Sequence, residues 1–139
     1  MSVEKQKHEA TRWLLQARAD IRAAEGSVAA GSFEWACFQA QQAAEKALKA
    51  FWLHHGADPW GHSLLKLIED FADDKVRSAI AGLTAHAKAL DKLYIPTRYP
   101  NGLPDSTPSE VYTEPEAQSA IGMAREVVDA IAAATAESG

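Results

Sequence analysis

Apolar residues recur at alternating steps of three and four in separate stretches of this sequence. That spacing commits the chain to helices that each turn one face toward a shared core. The first stripe is Ala10, Leu14, Ala17, Ile21, Ala24 and Val28, with Arg12, Arg18, Arg22 and Glu25 off it and Gly31 ending the pattern. Ser32 offers an N-cap for a second helix carrying Phe33, Cys37, Ala40, Ala44, Ala47 and Phe51, which runs to about His55 and stops at Gly56. Its alanines let partner helices approach closely, so it is expected at the centre of the fold. Leu64, Leu67, Ile68 and Phe71 mark a shorter third helix. Asp73 and Asp74 suit the positive end of a fourth, with the stripe Val76, Ile80, Leu83, Ala87, Leu90 and Tyr94. Thr113 and Glu116 form a capping box for the last helix, whose Ala117, Ile121, Ala124, Val128 and Ile131 face inward, and the tail after Ala134 is expected to fray.

No stretch alternates as a strand would. The expectation is an all-α fold, an up-and-down bundle of four to five antiparallel helices. Five of the six prolines, Pro96, Pro100, Pro104, Pro108 and Pro115, interrupt helix formation and set one long loop, Ile95 to Tyr112, before the last helix. Its tyrosine, leucine and proline content favours an ordered loop packed on the bundle. At 139 residues the chain fits a single domain over residues 1–139, with its core from about His8 to Ala134.

Composition narrows the function classes. No apolar run is long enough to cross a bilayer, and the segment from Met1 to His8 lacks the apolar stretch of a secretory signal, so a cytoplasmic location is expected. Cys37 is alone, which excludes an internal disulfide and suits a reducing compartment. The net charge of −5 argues against binding nucleic acid through a broad basic face. The acid is uneven, however: residues 1–50 carry seven Lys or Arg against six Asp or Glu, and residues 51–139 carry seven against thirteen. Any anion site is therefore local.

Two places could form one. At about 100° per residue, Gln42, Glu45, Lys46 and Lys49 fall on the side of the second helix away from the alanine stripe, preceded there by Trp35 and Phe38. Either those aromatics complete the core above solvated i,i+4 pairs, or this face meets a second subunit or the proline-rich loop around a polar pocket. In the second case, Lys46 and Lys49 would hold a phosphate as point charges. In the run from Tyr94 to Asn101, prolines flank Arg98 and Tyr99 and hold a guanidinium fork and a ring in fixed relation, a pair suited to clasp a phosphate and stack on a base. The alternative is that Tyr99 packs the loop down and Arg98 caps a helix end. Tyr99–Pro100 is a candidate cis peptide.

His54, His55 and His62 flank Asp58, but their spacing matches no helical zinc pattern, so no metal is expected. Gly61-His62-Ser63 opens a helix whose N-terminal amides could receive an anion. Cys37, on the apolar stripe, is expected to be an inert core thiol. There is no Gly-rich phosphate loop, dinucleotide fingerprint or nucleophile elbow.

The stretch from Trp35 to Ala50 (WACFQAQQAAEKALKA), then Gly61-His62-Ser63-Leu64, then Arg98-Tyr99-Pro100-Asn101, resembles the HEPN family, the higher eukaryotes and prokaryotes nucleotide-binding domain. The likeness runs from about Thr11 to Ile131. It implies a four-to-five-helix bundle, often homodimeric, with a role tied to nucleotides or RNA. It also implies partnership with a small nucleotidyltransferase, in some cases as a toxin–antitoxin pair. Many relatives in the wider superfamily are metal-independent ribonucleases with an arginine followed, after about four to six residues, by a histidine that serves as acid or base. Here no histidine follows Arg98, and eight residues separate Arg77 from His86.

The reading is therefore a homodimeric binding module rather than an enzyme. It needs no cofactor and holds a nucleotide such as ATP or GTP, with Gln42, Lys46, Lys49, His62, Arg98 and Tyr99 as ligand-binding residues. RNA is the weaker expectation. The alternatives are a ribonuclease toxin using Arg98 with His62, and a helical bundle that only binds protein.

Overall fold

Why the bundle holds its register is visible in pairs of side chains along its longest helices. The structure, a computed structural model, describes residues 2–136. In chain order its helices are α1 (Val3–Ala29), α2 (Phe33–His54), α3 (Leu64–Glu69), α4 (Asp74–Arg77), α5 (Thr84–Asp91), α6 (Pro108–Val111) and α7 (Glu114–Thr135). Lys46 meets Asp20 at 2.5 Å and the Gln39 amide meets Ser27 Oγ at 2.7 Å, so α2 runs antiparallel to α1. Arg18 pairs with Asp129 at 3.2 Å and Arg125 with Glu25 at 2.5 Å, which sets α7 antiparallel to α1 as well. α2 and α7 therefore run the same way, and α3 to α5 form the return leg between them. Gly31, with φ of 78°, makes the reversal after α1 in a conformation that a side chain would strain.

α2 is the central helix. Ala36, Cys37, Ala40, Ala43, Ala44, Ala47 and Leu48 are fully buried, so its core face is wider than one stripe. Leu64, Leu67, Ile80, Leu90, Ile121 and Ile131 close around it from the other elements. α7 begins at the expected capping box: the Thr113 N–H donates to Glu116 Oε1 at 3.1 Å and the Glu116 N–H to Thr113 Oγ1 at 3.4 Å. The helix extends to Thr135, and the end of the tail, residues 137–139, lies outside the described residues.

Two segments differ from expectation. The fourth helix is broken into α4, a 3-10 turn at Ala81–Leu83, and α5. Main-chain bonds from Ala79 to Val76, Ile80 to Arg77 and Leu83 to Ile80 close three residues back, which tightens the chain where Gly82 lowers helix propensity. The bend drives Ile80 fully into the core. Within the proline-rich stretch, a 3-10 turn at Pro100–Gly102 and helix α6 replace part of the expected loop. Proline is tolerated at the first helical position because its missing N–H would have had no partner there. Pro108 takes that position in α6, and the Thr107 N–H donates to Glu110 Oε1 at 3.1 Å. The stretch is ordered on the bundle, with Thr97 and Pro108 buried.

Candidate functional site

Two turns far apart in sequence are pinned together by one carboxylate. Gly61, at φ of 78°, turns the chain into α3, where Ser63 is the N-cap and its Oγ accepts from the Lys66 N–H at 3.2 Å. Asp91, at the end of α5, accepts from the Leu64 N–H at 2.7 Å, the Leu65 N–H at 3.1 Å and the Ser63 hydroxyl at 3.0 Å. From the sequence alone this helix start is a place for an external anion. Those amides are instead occupied by the chain's own carboxylate, the natural complement of a helix N-terminus.

That clamp sets the segment after α5 beside the turn carrying His62. Thr97 Oγ1 donates to the Leu93 carbonyl at 2.6 Å and Arg98 Nε to the Tyr94 carbonyl at 2.9 Å, winding the segment back on itself. The Arg98 guanidinium then lies over three rings, its Cζ 4.3 Å from the centroid of Phe38, 4.7 Å from Tyr94 and 5.2 Å from Tyr99. Phe38 in turn meets Trp35 edge-on at 6.1 Å and Tyr94 at 6.2 Å. Cation–π contacts of this kind are worth about 0.5–2 kcal/mol each and orient the fork without neutralising it. Among the described residues Arg98 makes no ion pair, and its Nη atoms have no hydrogen-bond partner. Tyr99–Pro100 is trans.

His62 stacks on the Tyr94 ring at 5.0 Å and 18° between planes, so Tyr94 touches both His62 and Arg98. His62 Nδ1 lies 3.2 Å from Glu45 Oε2, which also meets Lys49 Nζ at 3.2 Å. Gln41 Nε2 donates to Glu45 Oε1 at 3.3 Å and to the His62 carbonyl at 3.4 Å. The Glu45 side chain is only 6% exposed, whereas that of His62 is 58% exposed, so a buried carboxylate holds an accessible imidazole. Around the cluster, Trp35, Ile95 and Tyr99 are each 48% exposed, and Trp60, two residues before His62, is 82% exposed.

The six residues singled out from sequence thus divide. His62 and Arg98 both meet Tyr94, and Tyr99 lies against Arg98. Lys49 sits behind them, its charge engaged by Glu45 and its Nζ 5.8 Å from the Trp13 ring centroid. Gln42 donates to Gln41 Oε1 at 2.8 Å. Lys46 is turned toward α1, paired with Asp20, and lines an open groove of about 500 Å³ with Glu9, Arg12, Trp13, Leu15 and Gln16. Sequence reasoning placed Tyr94 on a core stripe and had no signal for the Glu45–His62 contact or for Asp91 as the clamp.

Burial, then the neighbouring Glu116 and Glu34, push the Cys37 thiol up to about 12, so it is protonated and unreactive in the fold. His54 and His55 pack against each other at 5.0 Å, and the His55 ring meets Phe51 at 4.6 Å and Phe71 at 5.7 Å. Among the described residues, no group of three or more His, Cys, Asp or Glu side chains could hold a metal ion, and no helix is long and apolar enough to cross a membrane.

The HEPN domain family matches residues 10–134. Among solved structures, TT1696 from Thermus thermophilus superposes with a TM-score of 0.82 at 42% identity, covering 90% of this chain and 97% of that one. ST0689, described as an archaeal HEPN homologue, gives 0.75 at 31% identity, covering 91% and 98%. A HEPN domain protein from Thermotoga maritima gives 0.61 at 28% identity, covering 85% and 92%. No curated protein matches the chain.

Proposed function

The chain belongs to the HEPN domain family, and from that premise we propose that it is a module that binds a nucleotide or another phosphorylated ligand at the Arg98 cluster. One observation carries the reading: Arg98 is held by three rings and one main-chain carbonyl, with no carboxylate among the described residues to neutralise it. A phosphate would supply the missing anion through a bidentate contact. Tyr99 and Trp35 offer half-exposed faces on which a base can stack, and His62 borders the same ring system. Lys46 and Lys49 contribute less, because Asp20 and Glu45 already occupy their charges.

The module is proposed to act as a homodimer, for which the exposed Trp35, Trp60, Ile95 and Tyr99 provide apolar area. Its partnership with a small nucleotidyltransferase, in a toxin–antitoxin-like pair, is proposed on the family resemblance alone. Calorimetric titration with ATP and GTP tests the binding reading. It predicts saturable binding that Arg98→Ala weakens at least about tenfold, the size of losing a charge-assisted hydrogen-bonded contact. Equal affinity in the variant would refute the assignment. Sedimentation tests the dimer, and co-purification with a nucleotidyltransferase tests the partnership.

A second reading, ribonuclease chemistry with Arg98 and His62, is favoured by the buried Glu45 behind His62, an arrangement that suits an acid–base imidazole. It predicts RNA cleavage by the purified protein, lost in Arg98→Ala, and uncleaved RNA would reject it.

A further inference from the structure

We propose that Glu45 is a positioning residue that holds the His62 imidazole in its Nδ1–H tautomer, leaving Nε2 as the polar atom presented to a ligand on Arg98. Only the final clause rests on the phosphate-binding reading; the tautomer follows from the side chains themselves. Three donors or potential donors converge on the Glu45 carboxylate: Lys49 Nζ at 3.2 Å, Gln41 Nε2 at 3.3 Å and His62 Nδ1 at 3.2 Å. An ammonium and an amide NH₂ have no lone pair to offer, so the carboxylate they address is an acceptor, and the remaining contact is satisfied only when Nδ1 carries the hydrogen. In a neutral imidazole the other nitrogen then holds a lone pair, and which one it is follows from the hydrogen bond its partner makes.

Two further contacts hold the ring and its turn in place. The stack on Tyr94 fixes its plane, and Gln41, which donates to both Glu45 and the His62 carbonyl, ties the turn to α2. Glu45 and Lys49 neutralise each other, so the pair tolerates burial while its carboxylate still directs the imidazole. Lys49 is thereby assigned a supporting role behind the site, since its ammonium steadies the carboxylate that orients His62. Nε2 gains two uses from this arrangement. As a lone pair it accepts a hydrogen from a ligand hydroxyl, and once protonated it donates to a phosphate oxygen next to the guanidinium.

The test is ¹⁵N NMR of the full-length, ligand-free protein at mildly alkaline pH. The two ring nitrogens then report directly which one carries the hydrogen. The expected spectrum shows His62 Nδ1 protonated and Nε2 unprotonated. An excess of the Nε2–H form, as in a free histidine, would overturn the proposal without any variant. Replacing the pair together, Glu45→Leu with Lys49→Met, avoids stranding a buried charge and should abolish the Nδ1–H excess; retention of that excess would also overturn it. Should this variant not fold, the wild-type spectrum decides alone. A parallel titration with inorganic pyrophosphate separates the two ideas. Absence of pyrophosphate binding refutes the phosphate reading, with its clause on Nε2 presentation, whereas a wrong tautomer refutes the role of Glu45 even if pyrophosphate binds.

Discussion

Removing the Asp91 carboxylate should loosen both the fold and the site, although Asp91 is not among the groups proposed to touch ligand. In Asp91→Ala the Leu64 and Leu65 amides and the Ser63 hydroxyl lose their acceptor, two of the three bonds being to main-chain donors at a helix start. Losing an N-cap costs about 0.5–2 kcal/mol, and a charged acceptor serving several donors belongs at the upper end, about 2 kcal/mol. For a chain of this size each kcal/mol moves the melting temperature by about 4 °C, so the variant should melt about 8 °C lower. Asp91→Asn keeps one side-chain oxygen and should lose about half as much by the same reasoning. Calorimetric melting gives the numbers, and the near-ultraviolet circular dichroism of the Tyr94 environment reports whether the segment after α5 has shifted. An Asp91→Ala variant melting within about 1 °C of wild type would refute the view that this carboxylate clamps α3 to α5.

The other consequences concern the core and its titrating groups. Cys37 should resist thiol reagents in the native protein at neutral pH and react only on unfolding, as quantitative thiol labelling with and without denaturant would show. Its ordinary value of 9.0 is raised by folding, so its stabilising contribution is present below pH 9.0 and is lost as the pH climbs from there toward about 12. Alkaline melting curves of Cys37→Ala should be flatter through that window. His55 titrates below the ordinary 6.5, because burial and the nearby His54 disfavour its charge more than Asp73 favours it. Its contribution to stability is therefore present above that value and falls as acid protonates it, and an NMR titration of the histidines checks the order. Leu48→Ala, at a fully buried position on α2, should cost about 2–5 kcal/mol in urea unfolding. Leu15→Ala, on the exposed side of α1, should change stability by no more than about 0.5 kcal/mol.

Long elements were legible because periodicity needs only local sequence. α1, α2 and α7 show their stripes over several turns, and Thr113 with Glu116 marks the start of α7. The region between Asp73 and Tyr94 misleads because its apolar period runs on through the break. Gly82 is the one local sign that the chain tightens there. α6 was masked by the density of prolines, although Thr107, Pro108 and Glu110 spell a capped helix start. At the site, Arg98 and Tyr99 stood out because prolines restrict the backbone around them. His62 and Glu45 are 17 residues apart, and Asp91 reaches 27 residues back to Leu64, so these contacts depend on how α2, α3 and α5 assemble. Helical phase put Lys46 and Lys49 one turn apart. It could not reveal that Asp20 on α1 and Glu45 on their own helix would take up their charges.

The central claim is that the unneutralised Arg98, with the rings around it, receives a phosphorylated ligand. Titrating ATP into ¹⁵N-labelled protein while following the Arg98 Nε, His62 ring, Trp35 indole and Tyr99 amide signals tests it most directly. The account predicts that these signals shift together and saturate, while the Trp13 indole in the groove between α1 and α2 stays in place. Shifts centred on Trp13 and Lys46, with the Arg98 signals unmoved, would contradict it.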